Sequence, residues 1–133
     1  MHLIPFEKWH LAQVVPQPAQ AGADLSGDWV SDGVAWTAVS DGQIVACGGL
    51  LSQWEGRHVA WLLVGCGCPL RPVVKAAKRI LASCAARRVE ATVSSQFAQA
   101  RKLVSMLGFE PEGTLRAYGP KGEDFLMFSR VNQ

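Results

Sequence analysis

Four thiols and one histidine are the first residues to weigh for chemistry. Cys47, Cys66, Cys68 and Cys84 include the tight pair Cys66-Gly67-Cys68. A C-x-C is closer than the C-x-x-C of a zinc knuckle, so a metal would need Cys47, Cys84 or a histidine to converge on it. Nothing in the sequence couples a cysteine to His58 as nucleophile and base. The expectation is therefore reduced, buried thiols and no metal site. Arg71, Lys75, Lys78 and Arg79 form a second group, and Arg87-Arg88 a third. Aromatic residues do not interleave with them, which argues against a nucleic-acid groove. The balance of 13 Lys plus Arg against 11 Asp plus Glu, a formal net charge of +2, argues the same way. Trp29, Trp36, Trp54 and Trp61 cluster in the first half and Trp9 stands apart. Core packing is their ordinary use, and an exposed subset would make a protein-binding surface.

The chain that must position these groups has 133 residues, 49% of them hydrophobic and 18% charged. That is the size and composition of one folded domain, residues 1–133, rather than a disordered chain. No uncharged apolar run reaches the roughly 18 residues of a membrane span. Glu7, Lys8 and His10 interrupt the start where a signal peptide needs an apolar stretch, so the cytoplasm is expected, not secretion.

Leu3 and Ile4 read as a short strand and residues 6–14 as a helix ended by Pro16 and Pro18. Residues 15–22 read as a surface crossing. Residues 34–39 and 44–47 flank Asp41-Gly42, a strong hairpin signal. Gly48-Gly49 points to a bulge or a close backbone approach. Residues 59–64 form the most continuous apolar run, which fits a central strand covered on both faces. From residue 73 to 84 the apolar side chains fall within an arc of about 120°, the pattern of a helix, with Pro72 in its first turn. Residues 89–93 are a strand, Ser94 and Ser95 candidate N-caps, and 97–107 a second helix closed by Gly108 and Phe109. Strands over 113–118 and 125–131 complete the chain around the turn at 119–122. A strand–helix–strand unit requires a right-handed crossover, so 59–64 and 89–93 run parallel. The fold class is α/β, a mixed sheet with an antiparallel N-terminal half and helices on both faces.

The segment Phe97-Ala98-Gln99-Ala100-Arg101-Lys102-Leu103-Val104-Ser105-Met106-Leu107-Gly108-Phe109-Glu110-Pro111-Glu112-Gly113 resembles the C-terminal signature of the GNAT superfamily of N-acetyltransferases, and the order of elements agrees over nearly the whole chain. The resemblance implies acetyl-CoA as cofactor and an amine of unknown identity as acceptor. It also implies a pair of parallel strands that splay apart, so that the pantetheine arm pairs with freed backbone. By this likeness Leu62, Leu63 and Val64 would line the arm. Arg71 and Val73 would meet the pyrophosphate at a helix start, and Phe97, standing where many members carry Asn, would also contact the cofactor. His58 and Ser94 are the candidates for proton handling, with Glu55 and Glu90 nearby. Two features depart from the pattern. The segment Gly65-Cys66-Gly67-Cys68-Pro69-Leu70-Arg71-Pro72 replaces the usual Gln/Arg-x-x-Gly-x-Gly/Ala loop, and Val104 stands where many members carry a tyrosine.

A narrower likeness rests on Trp36-Thr37-Ala38, on residues 41–49 and on Trp54-Glu55-Gly56 with Ala60-Trp61. These resemble a bacteriophage group of GNAT-like proteins associated with virion morphogenesis. That likeness implies virion or assembly proteins as partners and a structural role as the alternative to catalysis.

Overall fold

Asp-Gly between two apolar runs makes a tight hairpin because both turn residues must accept positive φ. In the computed structural model, which describes residues 1–20, 22, 24–30 and 33–132, Asp41 has φ 51° and Gly42 φ 75°. They join β2 (Gly33–Ser40) to β3 (Gln43–Trp54). Seven strands are hydrogen-bonded in the order β1-β2-β3-β4-β5-β7-β6, with β1 His2–Pro5, β4 Arg57–Val64, β5 Arg88–Ser94, β6 Glu110–Leu115 and β7 Phe125–Val131. The helices are α1 (His10–Gln13), α2 (Leu70–Ala82) and α3 (Ala98–Met106). The class is mixed α/β, as the sequence indicates. Among the described residues no helix is long and apolar enough to cross a membrane.

The chain divides into two compact units, residues 1–52 with 60–73, and residues 53–59 with 74–133. In the first, β1 pairs antiparallel with β2 and β2 with β3. The register shift lies between Ala38 and Val39 rather than at Gly48-Gly49. The two glycines mark close approach instead: a Cβ on Gly49 would lie 2.9 Å from the Ala35 backbone, and one on Gly48 would lie 3.1 Å from the Trp61 carbonyl. β3 therefore continues to Trp54, well beyond the stretch its side chains announce. Leu11, Val14, Cys47 and Leu63 form the buried centre, packed by Phe6, Leu25, Ile44 and Trp61.

The helix expected over 6–14 is only the single turn α1. The Glu7 N–H goes to the His10 Nδ1 at 3.0 Å, a side-chain bond that takes the place of helix continuation. His10 is fully buried, and Thr37 Oγ1 lies 2.7 Å from the same ring nitrogen. Residues 15–20 carry a 3-10 turn (Pro18–Gln20). Ala21, the next residue of that expected crossing, lies outside the described residues.

In the second unit, β5 pairs antiparallel with β7 over seven residue pairs and β6 with β7 beyond it. The parallel ladder of β4 with β5 joins Arg57 to Arg88, His58 to Val89 and Val59 to Glu90. α3 ends as its sequence dictates. Gly108 has φ 89°, its N–H donates to the Ser105 carbonyl, and the Phe109 N–H reaches back to the Val104 carbonyl at 3.0 Å. This double closure satisfies the last carbonyls and buries Phe109. A Cβ at Gly108 would meet only Arg130 Nε at 3.8 Å, an ordinary contact. Gly108→Ala therefore isolates backbone strain, and a loss of about 1–2 kcal/mol is expected in urea unfolding, with an asparagine there losing less.

Candidate functional site

Along a strand, backbone groups point alternately to the two edges. In the first unit the Gly65 N–H donates to Val45 O on β3 at 2.8 Å. The residues on either side, Val64 and Cys66, must then point their N–H groups to the opposite edge, together with the Leu62 carbonyl. Those groups are met by the segment before β2. The Cys66 N–H donates to Val15 O at 2.8 Å, and Pro16 bridges Gly65 in antiparallel fashion. Gln20 takes the other two: its Nε2 donates to Leu62 O at 2.8 Å, and its Oε1 accepts from the Val64 N–H at 3.2 Å. A Cβ at Gly65 would lie 2.9 Å from Val45 O and 3.4 Å from Val15 O, backbone on both sides. Only glycine fits between them. Side chains alternate in step. Trp61 and Leu63 turn into the core, where the Trp61 ring meets Phe6 at 5.5 Å and Trp29 at 4.7 Å, both edge-on. The Trp61 indole nitrogen is buried without a hydrogen-bond partner among the described residues.

Beyond Val64, Leu70 and Arg71 open α2 and are exposed, whereas Val73 is buried. The first N–H groups of a helix have no partner within it, and Pro72 contributes none. The thiols depart from expectation. Cys47 is buried beside Thr37, and its burial pushes the thiol pKa up. Cys66 is exposed and Cys68 half-buried, because the C-x-C sits in the loop between β4 and α2 rather than in a core, and Cys84, half-buried, lies between α2 and β5. Among the described residues no group of three metal-ligating side chains converges.

The second unit holds the residues considered for proton handling. His58 stands in the paired stretch of β4, six residues before Val64, with its Nδ1 buried and without a hydrogen-bond partner among the described residues. A shallow depression beside it is lined by Glu55, Gly56, Ala85, Ala86 and Arg87. Glu90 is buried, 6% exposed. Arg57 grips its carboxylate with two bonds, at 2.9 and 2.7 Å, and Arg88 Nε adds a third at 2.7 Å. Arg88 also forks onto Glu112 at 2.7 and 2.8 Å, Ser129 donates to the same carboxylate, and Arg57 lies 4.3 Å over the Trp54 ring. Charge-assisted bidentate pairs of this kind favour the ionised forms. The arginine bonds hold the Glu90 pKa below the ordinary value and bring Glu112 down to about 2. A carboxylate so held is a poor proton acceptor.

Ser94 pairs with Phe125 in the β5–β7 ladder, and its Oγ accepts the Gln96 N–H at 3.3 Å. It fastens the turn before α3 and does not cap it. The N-cap is Phe97, half-buried and with no side-chain cap. Val104 is buried on α3, and Tyr118 is exposed against Phe125. The structure thus brings together Leu62, Leu63, Val64, Arg71 and Val73 in one unit, and leaves His58, Ser94 and Phe97 in the other. Gln20 is the site residue that side-chain reasoning missed, since a glutamine after Pro18 reads as ordinary surface.

Glu112 has an ordinary pKa of 4.5 and a folded value of about 2. A lowered folded pKa gives stability that is complete above pH 4.5 and is lost as pH falls toward 2. Unfolding midpoints are expected to drop across that window, and Glu112→Gln is expected to flatten the slope. Glu90→Gln leaves two guanidinium groups, each about a quarter exposed, facing a neutral amide. It is expected to cost about 2–3 kcal/mol in denaturant unfolding at pH 7.

No protein-family profile matches the chain, and no curated protein sequence matches it. Solved structures do. An acetyltransferase of the GNAT family from Streptococcus pneumoniae superposes with a TM-score of 0.70 at 17% identity, covering 99% of each chain. A ribosomal-protein-alanine N-acetyltransferase from Brucella melitensis gives 0.69 at 16% identity over 99% of this chain and 100% of that one. A variant of the spermidine N-acetyltransferase from Vibrio cholerae gives 0.68 at 10% identity over 98% and 95%. The chain has the fold of the GNAT acetyltransferases.

Proposed function

We propose that the protein is an acyl-CoA-dependent N-acyltransferase of low turnover, with acetyl-CoA lying along the edge of β4 at Leu62, Leu63 and Val64. One observation carries the reading. The parallel ladder joins Arg57, His58 and Val59 to β5, while further along β4 the main-chain groups of Leu62 and Val64 pair with a side-chain carboxamide. A donor and an acceptor two residues apart on one strand edge match the secondary amides of an extended pantetheine chain. That a carboxamide bonds both groups supports the reading that this edge can pair with amides.

When bound, the cofactor supplies an activated acyl thioester. The residues of the chain would do the rest. Leu62 O and Val64 N–H would orient the arm, and the buried Leu63 and Val64 side chains would keep that edge rigid. The first-turn N–H groups of Leu70, Arg71 and Val73 and the Arg71 guanidinium would hold the pyrophosphate charge, with Pro72 subtracting one donor. Proton handling is the weak part. Glu90 is committed to two arginines and Ser94 to the turn before α3, and the His58 Nδ1 is buried, so none of these three is a ready base for an acceptor amine. Val104 offers no hydroxyl to the leaving thiolate. Both features favour slow transfer.

They also favour a second reading, a GNAT-fold assembly module in a phage particle, in which the fold is kept and the chemistry lost. Exposed Trp54, stacked under Arg57 at the surface, supplies the aromatic–arginine pair that protein interfaces favour. Calorimetric titration with acetyl-CoA separates the two. Saturable binding is expected, weakened about three- to tenfold by Arg71→Ala through loss of one exposed charge-assisted contact. No heat at millimolar cofactor overturns the transferase reading, and recovery of the chain in purified particles then supports the assembly role.

A further inference from the structure

We propose that Gln20 is a built-in competitor of the cofactor: its carboxamide occupies the strand edge that an amide-bearing ligand must use, and the Pro18–Gln20 turn has to swing aside before that ligand binds. The inference rests on the transferase reading and adds a regulatory step to it.

The geometry is that of a counterfeit strand. In a parallel ladder one residue accepts from the N–H of residue j+1 across the gap and donates to the carbonyl of residue j−1. The Gln20 amide does both with j at Leu63, accepting from Val64 N–H and donating to Leu62 O. A single side chain thus completes the pattern of a backbone unit. It is held in place by its own segment. The Gln20 N–H closes the 3-10 turn on Gln17 O at 2.8 Å, and upstream the Val15 carbonyl is fastened to Cys66 N–H and Pro16 to Gly65. Pro16 and Pro18 fix φ along the way, so the segment is pre-set against the end of β4.

Two properties make the contact a reversible stop rather than a permanent part of the sheet. Both bonds are neutral and only partly buried, each worth roughly two- to tenfold in an equilibrium constant. Holding a glutamine in one rotamer opposes them. The ligand must displace this contact, so its apparent affinity falls by the fraction of molecules in which the edge is open. Once Gln20 leaves, Leu62 O and Val64 N–H need a replacement partner, and an extended chain with amides supplies it.

The test is acetyl-CoA titration of the wild-type chain, Gln20→Ala and Gln20→Asn, the last too short to reach both groups. Amide exchange at Val64 is followed in parallel by NMR. Both variants are expected to bind about three- to thirtyfold more tightly. Val64 exchange is expected to speed up in each variant and to slow again on saturation with cofactor. If all three proteins bind with one affinity, or if Val64 exchange is unchanged by the substitutions, the competitor role is overturned while the transferase reading stands. If none binds at millimolar cofactor, the transferase reading fails and the competitor role with it. Should Gln20→Ala not fold, Gln20→Asn alone carries each of these outcomes.

Discussion

A strand edge beyond the end of its ladder has backbone donors and acceptors that must still be satisfied. In this protein the strand is β4, and the groups are the carbonyl of Leu62 and the N–H groups of Val64 and Cys66. Much of the first unit is arranged around them. Gly65 is squeezed between two carbonyls because the chain passes it on both sides. Trp61 and Leu63 anchor β4 in the core so that its edge holds a fixed line. Residues 15–20, rich in proline, lie along that edge and supply a carbonyl and a carboxamide. A proline-rich segment suits the task, since it has few donors of its own to satisfy and keeps an extended path.

The charged residues serve a different end. Arg57, Glu90, Arg88 and Glu112 join strands β4, β5 and β6 across the stretch where the parallel ladder is closed. Three bonds on Glu90 and two forked pairs leave little freedom for a carboxylate to exchange protons. Under the transferase proposal, slow proton transfer would follow from that commitment as much as from the valine at position 104. A glutamate beside an active strand is an obvious base until its oxygens are counted.

The local features were legible wherever one or two residues decide the backbone. Asp41-Gly42 specified the hairpin because positive φ admits few residue types, and Gly108-Phe109 specified the end of α3 for the same reason. The periodic apolar faces of α2 and α3 marked those helices, with boundaries shifted by a turn or less. Long-range pairing was not legible. Arg57 and Glu90 are 33 residues apart and Arg88 and Glu112 are 24, and nothing in either neighbourhood announces the other. β3 was read short because Gly48-Gly49 breaks the side-chain pattern, although it is the crowding by Ala35 and Trp61 that requires glycine there. Gln20 was invisible for a related reason: its role depends on where a main-chain edge falls, and a glutamine carries no signal of that.

The account stands or falls on whether the edge of β4 takes an extended, amide-bearing thioester cofactor. Backbone amide shifts recorded during addition of coenzyme A test it most directly. The largest changes are expected at residues 62–66 and at Leu70, Arg71 and Val73, with Gln20 side-chain signals moving at the same concentration. Shifts confined to the depression beside His58, with those amides still, would contradict it.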